Sequence, residues 1–221
     1  ILFKYGVLDF AGGTVVHMSA GWAALAGALF LKKRKEIIHD PSRISYVILG
    51  TALLWFGWFG FNAGSAVSSS TLAVQAFVNT TAASAAAAIA WGFIEKLKGR
   101  KLSAMGVCIG AVVGLVAITP AAGFVSVPHS ILIGIIAVTV SSFAVDWRSK
   151  TNIDDTLDVF PCHGVGGMVG MLLTGVFANP AINPAITEPG LIFGETSLFI
   201  KHVIALVGVS VFAFGGSYAL L

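Results

Sequence analysis

Charge is what this sequence has least of. Asp, Glu, Lys and Arg make up 10% of the 221 residues, against roughly 25% in a soluble globular domain. That shortage argues against a water-soluble fold. The formal net charge is +3, and no basic stripe with interleaved aromatics is present, so nucleic acid is excluded as a partner. The two cysteines, Cys108 and Cys162, both lie in apolar stretches and supply no disulfide framework. A charged leader with a cleavage site is also lacking. The chain opens on Ile1 and stops inside an apolar run at Leu221. A fragment truncated at both ends is expected, forming one membrane domain over residues 1–221.

What the sequence has in abundance is hydrocarbon, with 57% of its residues hydrophobic. Seven segments are long and apolar enough to span a bilayer, which takes about 20 residues each. They run near 9–31, 45–64, 72–95, 103–118, 129–146, 155–177 and 199–221. Basic residues cluster after the first (Lys32, Lys33, Arg34, Lys35), after the third (Lys96, Lys98, Arg100, Lys101) and after the fifth (Arg148, Lys150). The loops between them, 65–71, 119–128 and 178–198, contain no Lys or Arg. By the positive-inside rule the basic loops are cytoplasmic, and Asp9 and residues 178–198 lie outside. Gly106, Gly110 and Gly114, and the run Thr80–Ile89, have little bulk. Small residues at that spacing let helices approach closely in lipid. Residues 117–127, with a Pro and a Gly, read as an external turn; a dip back into the protein is the alternative.

Two of the spans carry an interior histidine, His17 and His163. An ionisable side chain in hydrocarbon is costly and marks a functional position by default. Helix rise places His17 roughly 12 Å below Asp9 and His163 roughly 13–14 Å above a helix start near Asp154. In a core about 30 Å thick the two rings fall at similar depth. A start at Asp158 would set His163 shallower, with Pro161 in the first turn. Gly13 and Gly21 flank His17, while Gly166, Gly167 and Gly170 follow His163 on or beside its face. Such smooth faces suit a narrow channel as well as close packing. Two unrelated structural histidines, each bonded to a carbonyl, are the plain alternative. A metal centre is a third, and it would need further ligands converging on the pair.

Asp9 can cap a helix N-terminus and attract a cation. The second span ends in Trp55-Phe56-Gly57-Trp58-Phe59-Gly60-Phe61-Asn62-Ala63-Gly64-Ser65. These aromatics suit an interfacial belt. Phe61 and Ser65, one turn apart, also suit a small cation held by cation–π attraction and a hydroxyl.

With these residues in view, the chain resembles the ammonium transporters of the Amt/Mep/Rh family, the bacterial Amt branch above all. The resemblance rests on Asp9–His17 (DFAGGTVVH), Gly60–Ala66 (GFNAGSA), Ala117–Gly123 (AITPAAG) and Asp158–Gly167 (DVFPCHGVGG). Pro161-Cys162 departs from the usual Gly-Val. The resemblance implies an all-α polytopic membrane protein, a homotrimer of eleven-helix inverted-repeat subunits in the bacterial inner membrane. The seven spans would be helices five to eleven. It makes His17 and His163 the paired pore histidines, Phe61 a gate phenylalanine, Ser65 the hydroxyl of the outer ammonium site, and Asp9 an acidic residue that recruits the cation. It implies no cofactor and no enzymatic activity, membrane lipid as surroundings, and a PII-type regulatory protein at the cytoplasmic face.

On that resemblance, ammonium binds outside, loses its proton at a dry constriction, and crosses as neutral ammonia, which avoids the desolvation cost that stops potassium. Buried imidazoles are favoured neutral, so one ring can donate to the other and relay the proton separately. The rivals are an ammonium sensor with a signalling domain on the same fold, a gas channel of Rh type, and an intramembrane metalloenzyme.

Overall fold

The computed structural model describes residues 1–35 and 43–221, and all of its regular structure is helical. A short helix, α1 (Leu2–Tyr5), precedes α2 (Gly13–Leu31), α3 (Ile44–Gly64), α4 (Thr71–Leu97), α5 (Ala104–Ile118), α6 (Val127–Ser149), α7 (Phe160–Phe177) and α8 (Ser197–Leu220). A single 3₁₀ turn, Leu191–Phe193, lies in the loop before α8. Six of these helices are long and apolar enough to cross a bilayer. The seventh, α5, has 15 residues, about 22 Å of rise. It is a multi-pass membrane protein.

The core is built where small residues let backbones meet. A side chain at Gly110 would press on Trp91 and Ala87, one at Gly114 on Ala83 and Ser84, and one at Gly134 on Ala83. Helices α4, α5 and α6 close around these contacts, with Val113, Ile118, Ile133 and Val138 fully buried. Packing of this kind replaces the hydrophobic drive that lipid cannot supply. Ser70 and Ser103 cap α4 and α5 through amides of Ala73 and Gly106. On α3 only Trp58 and Asn62 are buried.

The three basic loops meet at one end. Arg34 pairs with Asp154 at 2.7 Å, Lys98 and Arg100 with Asp146, and Arg148 with Asp158. The opposite end holds the Lys201–Glu188 pair.

Three expectations change. The first span starts at Gly13 and not at Asp9, because Phe10 and Ala11 donate their amides to the carbonyls of Pro120 and Thr119. Gly12 then turns the chain at φ 94°, a conformation suited to glycine. The sixth helix starts near Phe160, because Asp158 adopts φ 52° and the Asp155 carboxylate receives the first amides. Pro161 therefore sits in the first turn, where its missing N–H costs nothing, and the depth counted from Asp154 does not hold. Residues 119–125 are buried throughout; the turn dips into the protein, with Gly123 against the Phe10 ring.

Candidate functional site

Both histidines lie near the start of a helix that begins inside the molecule. Gly13–Met18 and Phe160–Val165 form widened π-helical turns, one around His17 and one around His163. Turns of this type often mark functional positions. Each is prepared by a carboxylate eight residues before its histidine. Asp9 Oδ2 accepts the Thr14 amide at 3.0 Å, and Asp155 accepts the amides of Val159 at 3.0 Å and Phe160 at 2.8 Å. A carboxylate there answers the free N–H groups and the helix dipole together.

The helix starts cross. A Cβ on Gly21 would collide with the Gly164 backbone, and one on Gly167 would press on Met18 and Gly13. Gly13 faces Pro120, Gly170 faces the Ala117 carbonyl, and Gly166 faces Val116. The space beside these glycines is filled by neighbouring residues, so they serve close packing and do not form the wall of a channel. The crossing sets His17 Nδ1 and His163 Nδ1 3.4 Å apart, with ring centroids at 5.4 Å. Only one of two facing nitrogens can carry the hydrogen, so the contact couples the tautomers of the two rings.

Around His17 the second span supplies aromatic walls. Trp58 stacks on the imidazole with centroids 4.9 Å apart and planes 19° apart, and Phe61 lies 5.7 Å away. The Trp58 indole N–H donates to Thr119 Oγ1 at 3.0 Å, and Thr119 donates to the Leu115 carbonyl at 2.8 Å. Asn62 is buried and donates to Thr80. A groove of about 410 Å³ runs from Phe61 and His17 along α3 past Trp58 and Leu54 to Gly50. Every wall but the imidazole is apolar. His17 Nε2 is buried without a hydrogen-bond partner.

Ser65 stands one turn above Phe61 and donates to its carbonyl at 2.8 Å, leaving the hydroxyl oxygen free to accept. Asp9 lies outside α2. Burial pushes its carboxyl above the usual range, against the lowering effect of the Thr14 amide it holds, and its Oδ1 has no partner. Thus His17, His163 and Phe61 come together, Ser65 joins through the Phe61 backbone, and Asp9 acts on the helix that carries His17. Neither Asp9 nor Ser65 lines the groove. No group of three His, Cys, Asp or Glu converges among the described residues.

Asp155, Trp58 and Thr119 escaped sequence reasoning in these roles, although the eight-residue spacing from carboxylate to histidine was readable. His202 was also passed over. It is fully buried, accepts the Leu8 amide on Nε2 and donates from Nδ1 to the Met171 carbonyl, a structural histidine with both nitrogens used.

Residues 1–221 match the family model described as Ammonium Transporter Family. An ammonium transporter of Aquifex aeolicus is 50% identical over 206 residues, covering 91% of this chain and 48% of that protein. Among solved structures, Saccharomyces cerevisiae Mep2 matches with TM-score 0.92 at 35% identity, over 100% of this chain and 51% of that one. A protein described as Sensor Amt Protein matches with TM-score 0.89 at 28% identity, over 99% and 55%. The chain spans about half the length of the relatives it matches.

Proposed function

The chain belongs to the ammonium transporter family, and on that premise we propose that its complete protein carries ammonium across the cell membrane by separating ammonia from its proton at His17 and His163. The observation that carries this reading is the 3.4 Å contact between the two Nδ1 atoms beside an apolar groove. In the starting state His17 holds its hydrogen on Nδ1 and donates it to His163 Nδ1, and its Nε2 lone pair is open. Ammonium, recruited by Asp9 and held at the outer face by the Ser65 oxygen and the Phe61 ring, gives a proton to that lone pair. The Nδ1 hydrogen passes to His163, and His163 releases its own Nε2 hydrogen towards the inner end. Neutral ammonia follows the apolar groove, where a bare cation pays the full desolvation penalty. Both rings end in the opposite tautomer.

In the same reading the complete protein is a homotrimer of eleven-helix subunits, each pore lying between inverted repeats. A PII-type regulator docks on the basic end. The sensor reading draws on the Sensor Amt match; in it the same site binds ammonium without conduction.

Ammonium-evoked current in proteoliposomes of the full-length protein, with potassium as control, tests the proposal. Wild type gives current with ammonium and none with potassium. The single variants His17→Ala and His163→Ala lose the ammonium current or admit potassium. Unchanged current and selectivity in the double variant would end the relay, and ammonium binding without current in the wild type would favour the sensor.

A further inference from the structure

Between α5 and α6 the chain leaves the helix for residues 119–125, yet all of them are buried. Irregular backbone inside a membrane protein persists only where the protein itself satisfies its polar groups. Two carbonyls of this turn, those of Ala122 and Val125, are served by one side chain on α4. Asn79 is fully buried, and its Nδ2 donates to Ala122 at 2.9 Å and to Val125 at 2.8 Å. Gln75, one helical turn earlier, donates to Asn79 Oδ1 and to the Val125 carbonyl, each at 3.3 Å. The residue after Asn79, Thr80, accepts from Asn62 of α3 at 3.0 Å.

We infer that Asn79 is a positioning residue for His17, acting through this turn. The other end of the turn reaches the histidine by two routes. The Thr119 and Pro120 carbonyls receive the amides of Ala11 and Phe10, which sets where the helix carrying His17 begins. The Thr119 hydroxyl holds the Trp58 indole that stacks on the imidazole. Asn79 ties the turn to α4, and Thr80 ties the helix of Trp58 to that same α4. The ring therefore takes its place from a single frame. Among side chains of this size, a primary amide alone offers two N–H donors on one atom and still accepts from Gln75. Leucine at this position has the bulk and neither donor. The consequence for ammonium current rests on the transport reading of His17; the placement of the ring does not.

The test follows nitrogen-15-labelled histidine by magnetic resonance in the full-length protein in lipid, together with ammonium current in proteoliposomes. It compares Asn79→Leu with Ser84→Ala. Ser84 lies on the same helix, is fully buried and donates to the Ala111 carbonyl at 2.9 Å, away from the turn. Losing it removes a buried hydrogen bond without touching the frame of His17. Asn79→Leu moves or doubles the His17 signals and lowers the current about 10- to 100-fold, the range expected when a reacting group shifts by up to about 1 Å. Ser84→Ala keeps both. Gln75→Leu, a change at a half-buried site, gives a smaller shift of the same signals and carries the test if Asn79→Leu does not fold. Unmoved His17 signals in folded Asn79→Leu, or in Gln75→Leu where that variant stands in, overturn the inference. So do equal shifts in Ser84→Ala, which would make Asn79 one core hydrogen bond among others. His17 signals moved by Asn79→Leu in a protein whose wild type gives no current uphold the positioning and end the transport reading instead.

Discussion

The indole of Trp58 lies almost parallel to the imidazole of His17, 4.9 Å away, and is itself fixed by its N–H on Thr119. A stacked ring held at its far edge limits how His17 can turn, so the Nδ1 contact with His163 is kept from rotating out of line. Thr119→Val leaves a buried indole N–H without an acceptor, at a cost of about 1–3 kcal/mol. Thermal unfolding should register that loss, and ammonium current should fall further in Trp58→Leu than in Trp58→Phe. A Thr119→Val protein with wild-type stability would show that the indole is held by something other than this bond.

Asp9 and Asp155 occupy matching places before the two histidines, yet Asp155 accepts two amides and Asp9 one. Losing a buried acceptor costs about 1–3 kcal/mol for each donor left unpaired. Asp155→Ala is therefore expected to destabilise more than Asp9→Ala, with each Asn variant milder than its Ala counterpart. Unfolding in detergent ranks the four. An order reversed between the two sites would contradict the capping account.

Gly21 and Gly57 separate packing from passage. An alanine at Gly21 drives its methyl into the Gly164 backbone, whereas nothing lies within 4 Å of a methyl at Gly57. Overpacking of this sort costs roughly 1–3 kcal/mol, and it would push apart the helices that carry the histidines. Gly21→Ala should lower both stability and current. Gly57→Ala, which borders the groove, should keep its stability. Equal melting temperatures for the two variants would refute the tight crossing.

The Arg34 guanidinium holds the Asp154 carboxyl down to about 2, from an ordinary 3.8. A folded-state value below the unfolded one adds stability above about pH 4, and that stability disappears as pH falls towards 2. Wild type minus Asp154→Asn, compared by melting temperature across that window, should converge as the acid limb is descended. The difference is small, because the pair is exposed to solvent. A constant difference from pH 7 to 2 would mean that the pair does not act through charge.

The topology was legible because it depends on quantities a sequence carries directly: run length, the placement of Lys and Arg, and small residues every fourth position. The two helix starts were less so. Asp9 to Leu31 reads as one continuous apolar run, and nothing local says that Phe10 and Ala11 will pair with residues 119–120. The same holds for Asp155, whose role depends on Asp158 taking a left-handed conformation. His17 and His163 were identifiable as costly polar groups, and their contact was anticipated from a depth estimate whose starting points both moved. They meet because two recessed helices cross at Gly21 and Gly164. Trp58 was hidden by its company, since an aromatic cluster near a membrane surface reads as an interfacial belt.

The coupling of the two imidazoles is open to direct measurement by nitrogen-15 magnetic resonance of the full-length protein in lipid, with labelled histidine and His17 and His163 assigned by substitution. The account predicts two neutral rings sharing one hydrogen between their Nδ1 atoms, with the signals shifting together when ammonium is added. Two rings that each carry their hydrogen on Nε2, with neither responding to ammonium or to loss of the other, would contradict it.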